Sequence, residues 1–599
     1  MSASSSRTVF CSSSHSTSNN DGAELYELLY IYLNIPGEKG EKYSWTALDG
    51  DRLTTEMSSA QTAFDNLDIL LGQIGHKFGK YQIKNHVFIF IPVIFSAIFT
   101  LSYIFTARNL DYRCQIPECD PPEPQYNPPW LLNAVPKGQN NNPSRCQRYP
   151  HISNYTNNSV VPLCPVTLFN SSVTQTCDKF VFDTDEVNIL NDFGLTCDEN
   201  LWKLTLVGTV NNIGQFVCLP IAGYVSDRYG RRFLMLGGLL LSTVVGLLRS
   251  ISPSYLWFLL FEFLETAIGS GAYSSGFILG VELVSPDKRV LSGTLISSCY
   301  AVGEAIVGVI AWQTNNWRDF LRYLYLPGFI LVAFFWLTPE SIRWLLAKGR
   351  HEDVKNVLRK AAKENNIELS EDQLKSLEYQ PQQEKEQPEN YPLKDVLKSS
   401  TLLLRLVNCS FCWITCNFVY YGLSLNSVAV AGNMYLNFIS VALIEIPAYF
   451  TTYLILDRLG RRISLCGSLL LSGIACLAFI FIPADAAWLR LTVFLVGKFG
   501  ITISFTVLYV FSTELFPTSL RHSLLGTCSM FGRTGSMLAP QSPLLAQIME
   551  YLPLILFGAM SVTSGLLVLL FPETLNTKLP DTIEEAEVIG RKKSTDSPL

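Results

Sequence analysis

The stretch Gly223-Tyr224-Val225-Ser226-Asp227-Arg228-Tyr229-Gly230-Arg231-Arg232 has a shorter counterpart later in the chain, Asp457-Arg458-Leu459-Gly460-Arg461-Arg462. Both copies follow a long apolar segment, and the glycine in each permits a tight turn. Each aspartate can accept hydrogen bonds at a helix N-terminus or pair with an arginine. The repeat indicates two similar halves, and we expect its residues to form a conformational latch that holds the halves together on one side. The alternative is a basic cluster with no latching role.

The composition is that of a membrane protein. Only 16% of the 599 residues are charged, whereas an average soluble protein has about 25%. The apolar residues, 48% of the chain, occur in long blocks such as Phe88 to Phe105, which is long enough to cross a hydrocarbon core of about 30 Å. This block begins too far from the N-terminus for a secretory signal peptide. No basic patch indicates nucleic-acid binding, because the charges that sum to −6 lie in tails and loops.

The spacing of the apolar blocks predicts an all-α membrane protein with twelve transmembrane helices in two six-helix bundles. We place the spans near residues 86–107, 202–223, 233–250, 255–281, 291–312, 319–338, 401–424, 432–456, 463–482, 487–511, 521–546 and 551–571. The predicted domains are a polar tail with an amphipathic lead-in at 1–85, a first bundle at 86–338, a charged loop at 339–400, a second bundle at 401–571 and a C-terminal tail at 572–599.

Lysine and arginine are enriched in alternate short loops, and this bias predicts the orientation of the bundles. The basic loops contain Arg228, Arg231, Arg232, Lys288, Arg289, Arg458, Arg461, Arg462 and Arg521. Loops at the other ends, such as 252–255 and 483–487, are nearly free of basic residues. The basic side is expected to be cytoplasmic, which places both termini inside the cell. We expect a multi-pass protein of the plasma membrane.

The segment 108–201 between the first two spans has the composition of an extracellular loop. It contains the cysteines Cys114, Cys119, Cys146, Cys164, Cys177 and Cys197, and glycosylation sequons at Asn154, Asn157 and Asn170. Disulfide formation and N-glycosylation both require a lumenal, oxidising compartment. The cysteines allow many pairings, and the sequence does not choose among them. The alternative is that the sequons arise by chance.

Further motifs complete the pattern. Pro339-Glu340-Ser341-Ile342-Arg343-Trp344 follows the sixth span, Glu514-Leu515-Phe516-Pro517-Thr518 closes the tenth, and Pro572-Glu573-Thr574 follows the twelfth. With the repeated turn and the cysteine-rich loop, residues 66–587 resemble the organic cation, carnitine and organic anion transporters of the major facilitator superfamily. Sugar porters share single motifs but lack the cysteine-rich loop. The resemblance implies the major facilitator fold and a solute carrier of carnitine or carcinine type.

Ionisable residues inside the spans are costly, on the order of 2.5–3.5 kcal/mol at mid-bilayer, so they usually have a role. Glu262, Glu265 and Glu304 are candidates for charge coupling. Glu262 and Glu265 are three residues apart and share a helix face. The family usually carries Arg-Phe-Leu in this part of span four, so the two acids are a departure from it. Ion pairing between helices is the structural alternative for each.

The resemblance also implies a substrate-binding site. Glu445 matches the cation-facing glutamate of cation and carnitine carriers. Arg533 stands where anion and carnitine carriers tend to have arginine and cation carriers aspartate. Tyr420 and Tyr421 resemble the family's substrate-lining segment, and Trp413 lies on the same span. Aromatic faces attract quaternary ammonium groups by about 0.5–2 kcal/mol each, so this set would suit a zwitterion or a cation with a polar tail.

We expect an alternating-access transporter of small organic cations or zwitterions. An organic anion exchanger that uses Arg533 is the second hypothesis, and a non-transporting membrane receptor or scaffold is the third. The stretch Gly75 to Lys80 lacks the spacing of a phosphate-binding loop, and no metal-ligand spacing or nucleophile elbow occurs. We therefore expect no enzymatic activity, cofactor or metal. The expected partners are a small organic ion, the lipid bilayer and a coupling ion, with no nucleic acid.

Replacing Asn154, Asn157 and Asn170 together by glutamine is expected to abolish the gel-mobility shift that enzymatic deglycosylation produces in the native protein, because the sugar acceptors of the loop are then absent. The matched control is Asn142→Gln. Asn142-Pro143-Ser144 has a proline at the middle position, which prevents glycosylation, so this variant should retain the shift. A triple variant that still shifts would place the sugars, and the topology, elsewhere.

Overall fold

The computed structural model describes residues 66–74, 78–138, 143–152, 164–377, 399–430, 432–483, 485–517, 520–575, 577, 580 and 583–588. Several predicted features lie outside these residues. They are the tail up to residue 65, the sequons at Asn154 and Asn157, and the end of the charged loop at 378–398.

Helices make up most of the described chain. In the first half they are the lead-in helix 66–74 and Lys80–Thr100, Tyr103–Thr106, Leu201–Tyr229, Arg231–Ser250, Tyr255–Gly269, Gly271–Glu282, Arg289–Gln313, Trp317–Tyr325 and Leu331–Leu337. In the second half they are Ser400–Asn426, Met434–Leu443, Glu445–Leu459, Arg461–Phe479, Ala487–Leu515, Arg521–Leu538, Ser542–Ile548 and Leu552–Val568. The charged loop contains Ile342–Ala347, His351–Glu364 and Glu371–Lys375, and Ile583–Val588 follows the last span.

Twelve spans can be assigned to these helices, which confirms the predicted all-α membrane fold in two bundles. Nine segments of the described chain are long and apolar enough to cross a membrane by themselves. The other three are the fourth span, interrupted at Ser270, the eleventh, Arg521–Leu538 with Ser542–Ile548, and the twelfth, Leu552–Val568 with 17 residues. Small residues allow close packing inside each half. A Cβ on Gly214 would lie 2.0 Å from the Thr266 hydroxyl, as expected for helices that associate in lipid.

The loop between the first two spans folds on itself through three disulfides. They join Cys114 to Cys177, Cys119 to Cys164 and Cys146 to Cys197, with Cα atoms 5.7, 5.7 and 5.6 Å apart. Two short antiparallel strand pairs accompany them, Tyr112–Cys114 with Phe180–Phe182 and Gln147–Arg148 with Gln175–Thr176. Burial raises the pKa of Tyr112, whose hydroxyl oxygen accepts the Cys197 N–H at 2.6 Å. Asn170 is exposed on this loop.

The first of the two repeated turns is closed by a glutamate from a distant motif. Gly230 has a φ of +104°, a conformation that L side chains rarely adopt. After it, the N–H groups of Arg231 and Arg232 donate to Glu340 Oε1 at 2.9 and 3.1 Å. Glu340 belongs to the motif that follows the sixth span, so this contact joins the start of span three to the end of span six.

The second turn has the same construction. Gly460 has a φ of +87°, and the N–H groups of Arg461 and Arg462 donate to the Glu573 carboxylate at 2.8 and 3.1 Å. Each glutamate thus binds a helix N-terminus, where free N–H groups and the helix dipole favour an anion. A Cβ on Gly230 would lie 2.3 Å from the Glu340 carboxylate, and one on Gly460 would lie 2.7 Å from that of Glu573.

The arginines of the predicted latch pair within their own halves. Arg231 lies 3.0 Å from Asp227 and 3.8 Å from Glu282, at the end of span four. This differs from our expectation of a contact between the halves. Asp227 lies near the end of the second span and Arg231 begins the third, four residues later, so the two side chains meet across the turn within one half.

The second copy repeats this arrangement. Arg461 lies 3.1 Å from Asp457 and 3.1 Å from Glu514. Arg228 hydrogen bonds to Tyr224 at 2.9 Å, also within the first half. An inter-half role for Gly223, Arg458 and the other latch residues therefore remains a proposal for a different conformation of the carrier.

The halves meet toward the end of the bundle that carries the disulfide-bonded loop, which we call the loop end. Thr205 donates to Gln541 at 3.0 Å and Thr209 to the Met537 carbonyl at 3.1 Å, which joins span two to the end of span eleven. At the same end, Tyr435 donates to Glu186 at 3.3 Å. These contacts close the loop end between the two halves.

Gly230→Ala and Gly460→Ala are each expected to lower the melting temperature and surface expression. The new methyl group would meet a carboxylate, and the positive φ with extended ψ costs on the order of 1–3 kcal/mol for a residue with a Cβ. Gly237→Ala is the matched control, because a Cβ there meets nothing within 4 Å. Melting curves of detergent-solubilised protein provide the measurement, and equal melting temperatures for all three variants would contradict this account of the turns.

Candidate functional site

Glu445 lies where the eighth span is interrupted. The helix Met434–Leu443 ends two residues before it, and Glu445 is the first residue of the next helix, Glu445–Leu459. Its side chain is fully buried. An acidic side chain is favoured at this position because the helix dipole presents partial positive charge there. The break thus places a carboxylate in the interior of the second half.

Lys498 is the ion-pair partner of Glu445, and the sequence analysis missed it. Its ammonium nitrogen lies 2.8 Å from Glu445 Oε1, and both side chains are fully buried. The ammonium also donates to the Ser424 hydroxyl at 2.8 Å and lies 3.3 Å from the centroid of the Tyr420 ring. A single lysine inside the apolar helix Ala487–Leu515 was the signal available in the sequence.

Two tyrosines complete the contacts of the Glu445 carboxylate. The hydroxyl groups of Tyr420 and Tyr449 donate to Glu445 Oε2 at 2.8 and 3.0 Å. Tyr420 was predicted from the resemblance, whereas Tyr449, one turn after Glu445, was not. With Lys498 paired to the other oxygen, the carboxylate is held by two hydroxyl donors and one ammonium group, from spans seven, eight and ten.

Glu304 approaches this group from the first half. It is 3% exposed, hydrogen bonds with Glu445, and interacts electrostatically with Glu445 and Lys498. No lysine or arginine in the described part of the chain pairs with it at ion-pair distance. Two carboxylates and one ammonium therefore share one buried region between the halves. We call Glu304, Glu445 and Lys498 the central triad.

Aromatic rings surround the central triad. Phe505 stacks on Tyr420 with centroids 5.5 Å apart, and Tyr421 meets Tyr420 edge-on at 5.3 Å. Trp413 is only 1% exposed, and its ring supports Tyr509 at 4.5 Å. The lining role predicted for Trp413 stays a prediction, and in this conformation its ring packs against Tyr509 and Phe505. Tyr509 is 43% exposed despite these ring contacts, so it faces open space beside the cluster.

Arg533 lies at the boundary between the halves. Its guanidinium donates to Gln215 Oε1 of span two at 3.3 Å and is close to Tyr421 and Tyr509. The side chain is half-buried, and no carboxylate among the described residues pairs with it. The positive charge of Arg533 is thus available to a ligand at the interface.

Glu262 and Glu265 are not part of the central triad. Both form ion pairs with Arg249 of span three. The Glu262 carboxylate is in close contact with the guanidinium, and the Glu265 carboxylate lies 2.9 Å from it. The positive charge that the resemblance places in span four is therefore supplied by span three. We call Arg249, Glu262 and Glu265 the inner triad.

These features define a class of protein. Two similar helical halves close around buried charged groups at their interface, which is the architecture of an alternating-access membrane carrier. Residues 169–585 match the family described as "Sugar (and other) transporter". The chain belongs to this major facilitator family and, within it, to solute carrier family 22, as the relatives below establish.

Relatives match over nearly their full length. The chain is 32% identical to the "Organic cation transporter protein" of Drosophila melanogaster over 539 residues, which cover 88% of this chain and 95% of that protein. It is 33% identical to bovine (Bos taurus) "Solute carrier family 22 member 1" over 549 residues, 88% and 93% of the two chains. It is 30% identical to human "Solute carrier family 22 member 2" over 544 residues, 86% and 94% of the two chains.

Solved structures agree on the fold. The xylose transporter of E. coli in a partially occluded inward-open conformation superposes with a TM-score of 0.52 at 16% identity, covering 83% of this chain and 100% of that one. Since the identity is low, the likeness concerns the fold alone. The predicted membrane carrier is confirmed, and the protein is not an enzyme.

Lys498→Met is expected to lower the melting temperature more than the double variant Lys498→Met with Glu445→Gln. Removing one partner of a buried ion pair leaves an uncompensated charge and costs about 3–5 kcal/mol, whereas removing both charges is often nearly neutral. Melting curves of the purified protein compare the two. Lys375→Met, at a lysine that is 68% exposed, is the control and should not change the melting temperature. A double variant less stable than the single one would contradict the pairing.

Proposed function

We propose that the protein transports small organic cations and zwitterions across the plasma membrane by alternating access. The observation that carries the proposal is the central triad, in which Glu304 has a carboxylate without a cationic partner beside the Glu445–Lys498 pair. In the proposed ligand-bound state both carboxylates are ionised, and the two acids and one ammonium then have a net charge of −1. A monovalent organic cation would neutralise it.

The physical chemistry of the site favours an ammonium ligand. Coulombic attraction is several times stronger in a partly desolvated interior than in water. Tyrosine faces add about 0.5–2 kcal/mol each for a cation placed over them. Lys498 over the Tyr420 ring, 3.3 Å from its centroid, shows that this environment already holds an ammonium group. Glu304 thus replaces Glu445 as the first candidate to receive the cation in this conformation.

Arg533 extends the site toward zwitterions. A carboxylate on the substrate would find the guanidinium at the interface, while its ammonium group would contact Glu304. Bidentate pairs between arginine and carboxylate are among the stronger hydrogen-bonded contacts. Carnitine-like, carcinine-like and betaine-like solutes have these two ends. The name of the Drosophila relative, an organic cation transporter, supports the cationic half of the proposal.

Organic anion exchange is the second candidate, and one observation favours it. Arg533 is half-buried and has a neutral amide, Gln215, as its hydrogen-bond partner at 3.3 Å. An anion could therefore bind there without displacing an acid of the protein. In this case the central triad would serve the structure and not the ligand.

The orientation follows from the same proposal. We place the loop end outside the cell, because its disulfides require an oxidising compartment, and both termini in the cytoplasm. The contacts of Thr205 and Thr209 with span eleven then form an outer closure. Transport requires that these contacts open while the halves approach each other at the basic turns. The latch residues would make their inter-half contacts in that second state.

Uptake by cells that express the chain tests the class of substrate. The panel consists of tetraethylammonium, carnitine, carcinine and p-aminohippurate, each labelled and normalised to surface protein. Uptake of tetraethylammonium or of a zwitterion supports the proposal. Uptake of p-aminohippurate alone would contradict this proposal and support anion exchange. No uptake of any solute would favour a receptor or scaffold.

Two substitutions should separate the ends of the substrate. Glu304→Gln is expected to reduce uptake of both tetraethylammonium and carnitine by about tenfold or more, because a charge-assisted contact contributes roughly 1.5–3 kcal/mol. Arg533→Asp should reduce carnitine uptake by a similar factor and leave tetraethylammonium uptake equal or higher. Glu352→Gln, at a glutamate that is 78% exposed, is the control. Parallel losses of both solutes in both variants would contradict a site that recognises charge.

A further inference from the structure

The inner triad has two acidic side chains and one basic side chain, and all three are buried. The side chains of Arg249 and Glu262 have no exposed surface, and that of Glu265 is 2% exposed. Two carboxylates therefore share one guanidinium among spans three and four. A second ionised carboxylate without its own cation would be costly at this depth. A proton on one of the two carboxyl groups removes the excess charge.

The hydrogen bonds indicate which carboxyl group remains ionised. Glu262 accepts from Arg249 and also from the Asn211 amide at 2.7 Å on its other oxygen. Both oxygens of Glu262 thus receive donors, as an ionised carboxylate requires. Glu265 accepts from Arg249 at 2.9 Å on one oxygen and also hydrogen bonds with the Tyr325 hydroxyl. A hydroxyl group can accept as well as donate, so Glu265 can carry a proton and donate it to Tyr325, whereas both partners of Glu262 are N–H donors.

A small polar cavity adjoins Glu265. It measures about 10 Å³ and is lined by side chains that include Ser96, Thr100, Ser242 and Thr266. This volume is close to the space that one water molecule needs, and the lining offers hydroxyl groups as its partners. A water molecule here would give Glu265 a neighbour that exchanges protons. Glu262 does not line this cavity.

The other groups around the inner triad are neutral. Tyr325 of span six and Ser102 of span one receive hydrogen bonds from Arg249 at 3.1 and 2.6 Å. Tyr103 of span one interacts with Glu262, and Phe258 of span four lies under the guanidinium at 5.6 Å. From span two, the neutral amide of Asn211 contacts Glu262. Arg249 is thus the one cation facing the two acids within the described residues.

A chain of hydrogen bonds connects the inner triad to the substrate site. Arg533 donates to Gln215 at 3.3 Å, Gln215 donates to Asn211 at 2.8 Å, and Asn211 donates to Glu262 at 2.7 Å. Each amide presents its oxygen toward Arg533 and its nitrogen toward Glu262. The cation at one end and the carboxylate at the other fix this direction. A change in charge at either end therefore acts on the other through ordered contacts.

We propose that Glu265 is a proton-binding site and that its proton leaves in exchange for the organic cation. The inference rests on the proposed transport function. With Glu265 deprotonated, the inner triad has a charge of −1 and favours a cation in the interior, whereas a proton on Glu265 removes that attraction. Proton and cation therefore compete. In one cycle the cation moves inward, Glu265 releases its proton outward, and the carboxylate takes up a new proton from the cytoplasmic side.

Purified protein in liposomes that contain a pH-sensitive dye tests the exchange. Tetraethylammonium added outside should enter and raise the internal pH as protons leave. Tetraethylammonium counterflow, in which labelled solute exchanges with unlabelled solute at equal pH, measures carrier function without net proton movement. Glu265→Gln has the charge of the protonated form, so it should retain counterflow at saturating tetraethylammonium, with a raised KM, and lose at least about nine-tenths of the pH change. Glu265→Asp should retain the pH change, because it keeps a carboxyl group, and Glu371→Gln, at a glutamate that is 64% exposed, should match the native protein.

Each outcome decides the matter. Counterflow with no pH change in the native protein, a fall in internal pH, or a full pH change in Glu265→Gln would each overturn the proton assignment while leaving the transport function intact. Loss of counterflow in Glu265→Gln but not in Glu265→Asp would show a structural need for the carboxyl group and would also overturn it. Absence of counterflow in the native protein would overturn the proposed function and this inference together.

Discussion

The fold depends on one constraint: a charge buried among membrane-spanning helices must have a partner on another helix. Arg249 joins spans three and four through Glu262 and Glu265, and Lys498 joins spans eight and ten through Glu445. The other helices of each half surround these buried ion pairs. Because apolar side chains gain nothing by leaving lipid, such polar contacts, with close packing at small residues, supply the specificity that the hydrophobic effect supplies in soluble proteins.

The same constraint explains the likeness of the two halves. In each, a glutamate after the last span reaches back to the turn between the second and third spans of that half, Glu340 to Arg231 and Glu573 to Arg461. Three motifs that are distant in the sequence are thus parts of one contact, made twice. Since each contact lies within a half, each half can move as a unit.

The fold was predictable because apolar blocks and repeated turns are local patterns. The outer loop was predictable in its chemistry but not in its pairing, since disulfide connectivity depends on the folded loop. The site was predicted in part: Glu445, Tyr420 and Arg533 were found by resemblance, but Lys498 was not, because no pattern along the chain relates it to Glu445. Trp413 was also named by its place on span seven, and its contact with a ligand stays a prediction. Glu262 and Glu265 were found as charges, whereas their partner Arg249 lies on another span and at a helix end, where an arginine is ordinary.

The disulfide between Cys146 and Cys197 has a mechanical consequence. Cys197 lies four residues before span two, and the strand that begins at Tyr112 follows closely after span one, so the loop is anchored at both ends to the first half. Its bonds to the second half that the structure describes are few, from Glu186 to Tyr435 and from Asp198 to Gln547. When the halves separate at this end, the loop moves with the first half as one rigid body. A macromolecule that binds the loop and the second half at the same time would keep the entrance closed without contacting the substrate site.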